Sequence, residues 1–134
     1  MIIENTKFRG MKIIRPRVFE DQRGYFFESW NPLMAAESGI DREFVQDNQS
    51  GSQKGVLRGL HFQLPPYEQG KLVRVMKGSV FDVAVDLRQN EPTYKQYFGM
   101  VLSAADHSML YIPPGFAHGF LSLEDKTIFS YRCT

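Results

Sequence analysis

From residue 11 onward the chain is cut into short runs of alternating apolar and polar residues, nearly all closed by Gly, Pro, Asn or Asp. This punctuation constrains the fold more than any other feature. A period of two places successive side chains on opposite faces of an extended strand, and breaks every few residues leave no room for long helices. The pattern predicts strands over Met11 to Val18, Gly24 to Ser29, Glu43 to Asn48, Val56 to Gln63, Lys71 to Met76, Val80 to Leu87, Tyr97 to Ser103, Met109 to Ile112, His118 to Leu123 and Thr127 to Cys133. Glu20 to Gly24 reads as a polar turn and Gln49 to Lys54 as a polar loop. The one helical signal is Asn31 to Gly39, with a capping Asn, Pro at the first helical position and Gly after the end. Aromatic residues at 13%, eleven Gly and seven Pro fit the same picture. The expectation is an all-β jelly-roll barrel with one short helix, formed as a single domain over residues 1–134.

Sixteen Lys plus Arg against fifteen Asp plus Glu leave a formal charge of +1, without the basic surplus that binding to a phosphate backbone requires. Nucleic acid is therefore not an expected partner. No apolar run approaches the roughly 18 residues of a membrane span, and the opening MIIENTKFRG lacks the apolar segment of a secretion signal, so no membrane association and a cytoplasmic location are expected. The one cysteine, Cys133, has no partner within the chain for a disulfide.

Three groups of residues carry candidate chemistry. His61 and Lys71 lie on strands joined by a short connection and can converge on one barrel interior, bringing a base and a cation together. Regular alternation puts Arg58 and His61 on opposite faces, so both enter one site only if Gly59 marks a bulge. Farther along, Pro113-Pro114-Gly115 feeds a strand on which His118, Phe120 and Ser122 share a face, and Phe129, Tyr131 and Cys133 share a face of the next strand. Tyr131 is either a core aromatic or a phenol aimed into the barrel. Asp82 and Asp86 alternate with apolar residues, so whichever faces inward needs a partner. Taken singly, His61 also reads as a hydrogen-bonded core histidine, and Arg58, Lys71 and Arg74 as solvated cations.

Gly55, His61, Gln63 and Glu68 stand at the spacing of the cupin metal motif, and Pro113, Gly115 and His118 resemble the second cupin motif. Gln63 replaces an imidazole, and a neutral amide is a poorer donor to zinc, iron or copper, so no metal is expected. A wider resemblance runs through Asp21 to Ser29, Phe44 to Asn48, Gly55 to Gln63, Gln69 to Val75, Val80 to Arg88 and Ile112 to Phe120. These stretches resemble the dTDP-4-dehydrorhamnose 3,5-epimerase family over nearly the whole chain. The resemblance implies an isomerase with a cupin barrel, working as a homodimer with a shared site and without cofactor. Its substrate is dTDP-4-keto-6-deoxyglucose, inverted at carbons 3 and 5 on the way to dTDP-L-rhamnose. It implies His61 as base, Tyr131 as acid and Lys71 as the cation at the keto oxygen. Arg58 and His118 become further substrate contacts, while Arg23, Phe26, Glu28, Gln46, Asp47 and Asn48 become the nucleotide-binding region, part of it supplied by the partner subunit.

The residue chemistry agrees. A proton beside a ketone is less acidic than imidazolium by about ten pKa units, at about 1.4 kcal/mol each, a gap that a fixed ammonium narrows by favouring the enolate over the ketone. Inversion then needs a proton donor on the other face, and a phenol is neutral at neutral pH. Relatives extend beyond the Tyr131 position and supply an aspartate that orients the base; this chain is expected to be C-terminally short, with Asp82 a candidate substitute only if its strand face allows it. The competing expectations are a dTDP-4-keto-sugar ketoisomerase and a non-catalytic dTDP-sugar-binding cupin.

Overall fold

The computed structural model describes residues 1–134. Twelve strands and one helix follow in the order β1 (Ile2–Asn5), β2 (Lys12–Arg15), β3 (Phe19–Asp21), β4 (Gly24–Phe26), α1 (Pro32–Glu37), β5 (Gln46–Ser52), β6 (Leu57–His61), β7 (Lys71–Lys77), β8 (Ser79–Asp86), β9 (Tyr97–Ser103), β10 (Met109–Ile112), β11 (Phe116–Ser122) and β12 (Thr127–Cys133). All pairings are antiparallel. One sheet runs β1-β2-β10-β7-β12-β5 and a second runs β6-β11-β8-β9, while β3 and β4 form a separate hairpin. This is the all-β arrangement expected from the alternation, and it has the cupin form that the resemblance implies.

The two sheets enclose a core of Phe8, Met11, Val73, Val75, Val80, Ala84, Leu102, Leu110, Ile112, Phe116, Phe120 and Phe129. Alternation decides which residues enter it: on β7, Val73 and Val75 face this core while Leu72 faces away. The helix α1 lies over the outer side of the six-stranded sheet, where Met34 and Ala35 pack with Ile14, Leu72, Met109 and Tyr111. Asn31 caps it, accepting from the Met34 backbone N–H at 2.7 Å, and Pro32 opens it, as the sequence signal predicts. Strand β10 is buried along its whole length because it has the core on one face and the helix layer on the other.

Several strands are shorter than expected: the one expected from Met11 ends at Arg15, the one from Gly24 ends at Phe26, and the one expected from Glu43 begins only at Gln46. Gln49 to Lys54 is not a loop: β5 continues through Ser52, paired with β12 from Cys133↔Gln46 to Thr127↔Ser52. Its run of Gln, Asp, Asn, Ser and Gly lacks an apolar face because its inward face lies at the polar end of the barrel and its outward face meets solvent. The turn at Glu20 to Gly24 is shorter than expected, since Glu20 pairs with Tyr25 and Asp21 with Gly24. Finally, Ile2–Asn5 forms β1, whose only neighbour is β2.

Candidate active site

At one end of the barrel the apolar filling between the sheets gives way to polar side chains. On β7 the interior face that carries Val75 and Val73 ends in Lys71. On β12 the face beginning with Phe129 continues to Tyr131 and Cys133, and on β11 the face of Phe120 continues to His118. The space beyond is a cavity with two lobes. One, of about 490 Å³, is lined by Gln46, Asn48, His61, Gln69, Lys71 and Cys133 among others. The other, of about 370 Å³, includes Ser50, Arg58, His118, Phe120 and Phe129. His61, Lys71 and Tyr131 line both and form the waist between them. They come from both sheets: His61 from β6 of the four-stranded sheet, Lys71 and Tyr131 from β7 and β12 of the six-stranded one.

Arg58 and His61 reach the same lobe because β6 is bulged. His61 pairs with His118 and Arg58 with Phe120, so three steps along β6 match two along β11. Gly59 carries the irregularity at φ +107°, a backbone region that favours glycine. It lies so close to β11 that a β-carbon there would sit 2.6 Å from the His118 carbonyl oxygen. The bulge that the spacing of Arg58 and His61 demands is thus present at Gly59. Arg58 is held in place by donating to Ser52 Oγ at 2.9 Å and to the Gly51 carbonyl at 3.1 Å.

Electrostatics centre on Lys71. Burial pushes its ammonium below the ordinary lysine range, with Cys133 and Asp82 opposing that shift. The ammonium stands 5.7 Å from the centre of the Tyr131 ring, a cation–π distance. Cys133 lies directly across from Lys71 in the strand pair, and burial pushes its thiol up while Lys71 and a contact from Asn48 at 3.8 Å pull it down. His118 Nε2 is 2.8 Å from Oδ2 of Asp82, and both side chains are buried.

The sequence model of the dTDP-4-dehydrorhamnose 3,5-epimerase family matches residues 5–134. The chain belongs to the dTDP-4-dehydrorhamnose 3,5-epimerase family. It is 53% identical over 129 residues to the dTDP-4-dehydrorhamnose 3,5-epimerase of Methanothermobacter thermautotrophicus, an alignment covering 96% of this chain and 69% of that protein. The crystal structure of the Bacillus anthracis epimerase with TDP and PPi bound superposes with a TM-score of 0.95 at 47% identity, covering 98% of this chain and 76% of that one. The Legionella pneumophila epimerase in complex with dTDP-4-keto-L-rhamnose gives a TM-score of 0.94 at 50% identity, with 99% and 71% of the two chains covered.

Within this epimerase fold, the residues named from sequence separate into two sets. His61, Lys71, Tyr131, Arg58, His118, Gln46 and Asn48 converge on the cavity. Asp47 does not: alternation turns it from its neighbours, and its carboxylate meets Arg132 Nε at 3.4 Å. Arg23, Phe26 and Glu28 lie on or beside the β3–β4 hairpin, in exposed depressions separate from the cavity. Arg23 there donates to Asp21 at 2.6 Å. Asp82 meets His118 and not His61, so the condition on which it could orient the base is not met. Gln63 and His61 line the first lobe, but no group of three or more His, Cys, Asp or Glu side chains converges as metal ligands. Gln69, Ser50 and Cys133 also line the cavity, and of these only Cys133 carries a signal in the sequence, its shared face with Tyr131. No helix is long and apolar enough to cross a membrane.

Proposed function

We propose that this chain inverts carbon 3, carbon 5 or both of dTDP-4-keto-6-deoxyglucose, by removing and returning a proton through an enolate without a cofactor, on the route to dTDP-L-rhamnose or a related deoxysugar. The observation that carries the reading is the waist of the cavity, where an imidazole faces an ammonium and a phenol from the opposite sheet. His61 takes the proton beside the carbonyl. Lys71 stands at the 4-keto oxygen, where charge develops as the proton leaves, and its burial strengthens the interaction by excluding water. Tyr131 returns a proton from the other wall, which yields the inverted centre. Arg58 and His118 contact the sugar in the smaller lobe, while Gln46 and Asn48 lie along the larger lobe toward the nucleotide.

The nucleotide end is completed by Arg23, Phe26 and Glu28 of a second copy in a cytoplasmic homodimer. Supporting this, the hairpin that carries them exposes Phe26 and Tyr25 to solvent at 68% and 61% and pairs with neither main sheet. Asp47, paired with Arg132 outside the two lobes, joins the same nucleotide end.

The test is deuterium incorporation from heavy water into the sugar, followed by NMR. The wild-type chain is expected to exchange at carbon 3, carbon 5 or both. His61→Ala is expected to abolish exchange, Lys71→Ala to slow it by about 10²–10³ as for loss of an oxyanion donor, and Tyr131→Phe to retain proton loss while failing to invert. Normal exchange in His61→Ala overturns the assignment of the base. Tight dTDP-sugar binding without any exchange in the wild type identifies a binding protein instead.

A further inference from the structure

Asp82 projects from β8 toward the barrel interior between Val80 and Ala84, two fully buried core residues. Its carboxylate is itself wholly buried and does not line either lobe of the cavity. One oxygen meets His118 Nε2 at 2.8 Å, and the other, Oδ1, has no hydrogen-bonding partner. Leaving half of a buried carboxylate unsatisfied is unfavourable, and an apolar residue would fill this position without that penalty. The carboxylate therefore serves something other than packing.

We propose that Asp82 is a positioning residue: by holding Nε2 of His118 it leaves Nδ1 as the one ring nitrogen offered to a bound sugar. This rests on the reading of the cavity as the 4-keto-sugar site. The contact runs diagonally across a paired strand ladder, since Asp82 stands opposite Phe120 while His118 stands opposite Ala84. Neither end is on a loop. The face of the imidazole is fixed as well, because Phe129 from the other sheet lies nearly parallel to it at 21°, with ring centres 6.2 Å apart. A ring held on one edge and one face has a single orientation, and a proton directed to Nε2 makes Nδ1 of the neutral ring an acceptor. An acceptor suits a sugar hydroxyl, which leaves the keto oxygen to Lys71. His118 also stands directly across from His61 in the strand pair, so a turned His118 ring would compete for the base's surroundings.

The chain has three histidines, which makes the tautomer directly readable by long-range nitrogen–proton NMR, with His61→Ala and His107→Gln variants assigning the signals. His118 is expected to carry its proton on Nε2 in the wild-type chain. Asp82→Leu, apolar among apolar neighbours, is expected to lose that preference and to exchange deuterium about ten- to a hundredfold more slowly, the usual range for a group acting from behind a ligand. Asp82→Asn, whose amide oxygen can still accept from Nε2, is expected to keep the tautomer and recover most of the rate. A wild-type His118 with Nε2 unprotonated, or an Asp82→Leu variant with unchanged tautomer, overturns the proposal. Absence of exchange in the wild type overturns the activity instead, and the tautomer measurement still decides the role of Asp82.

Discussion

Replacing Gly119 with alanine tests whether the bulged contact between β6 and β11 sets the reacting geometry. The added β-carbon would lie 2.6 Å from the Arg58 carbonyl oxygen, 3.1 Å from Leu60 Cδ2 and 3.3 Å from the Gly59 α-carbon. The first of these is about 0.8 Å short of the 3.4 Å at which ordinary contact begins. Both the oxygen and the Gly59 carbon are backbone, so no rotamer relieves the clash and β6 must move outward by most of that distance. β6 carries Arg58 and His61, whose partners across the cavity belong to the other sheet and stay behind. A displacement of about 1 Å in a reacting group lowers the rate about 10²-fold, and overpacking of this kind costs about 1–3 kcal/mol of stability. Gly119→Ala is thus expected to fold, to melt several degrees lower, and to exchange deuterium about a hundredfold more slowly than wild type. A folded variant with an undiminished exchange rate would show that the strand contact does not control the position of His61, and the argument from the bulge would fail.

Lys71→Met is expected to slow exchange by the same 10²–10³ or so as Lys71→Ala and at the same time to raise the melting temperature at neutral pH, because it removes a charge that burial disfavours. With the folded pKa of Lys71 below its unfolded value, the unfolded chain binds more protons between the two. The contribution of Lys71 to stability therefore improves as pH rises through that window and is lost again below it, which melts of the wild type and Lys71→Met against pH will compare. Activity should fall on the alkaline side at a lower pH than an ordinary lysine would give. Asp86→Ala is expected to cost about 3–5 kcal/mol, as for removal of one partner of a buried ion pair, since Asp86 accepts from Arg88 Nε and Nη2, each at 2.9 Å, and from Thr93. Burial pushes the Asp86 carboxyl up, but the bonds from Arg88 and Thr93 together outweigh it and leave it lowered, so its contribution is lost as pH falls through that lowered value. Denaturant melts across acidic pH will read both effects.

Where one face of a strand is apolar, the sequence was a sufficient guide. Tyr97–Ser103 and Thr127–Cys133 begin and end where the alternation does, and the cavity lies along the faces shared by His118 with Phe120 and by Phe129 with Tyr131. The guide failed on β5, where one face turns polar residues to the cavity and the other turns them to solvent, so that Gln49 to Ser52 carries no apolar stripe to mark a strand. Gly59 was legible because two residues wanted in one site stood an odd number of positions apart. The partner of Asp82 was not, since its diagonal contact with His118 depends on strand register, which alternation alone leaves undetermined. Arg23 and Asp47 enter the nucleotide-binding region only through the family resemblance, and neither the Asp21 nor the Arg132 contact has a signature in one dimension.

The distance from the imidazole of His61 to the phenol of Tyr131 spans the gap between two sheets, and between those sheets Phe120 and Phe129 touch with ring centres 4.2 Å apart. That spacing is therefore a thickness, fixed by the bulk of the hydrocarbon wedged beside it rather than by any flexible segment. Thermal inactivation should in consequence coincide with global melting, with no earlier loosening of the site. Volume changes at Phe120 or Phe129 should retune turnover and heat resistance together.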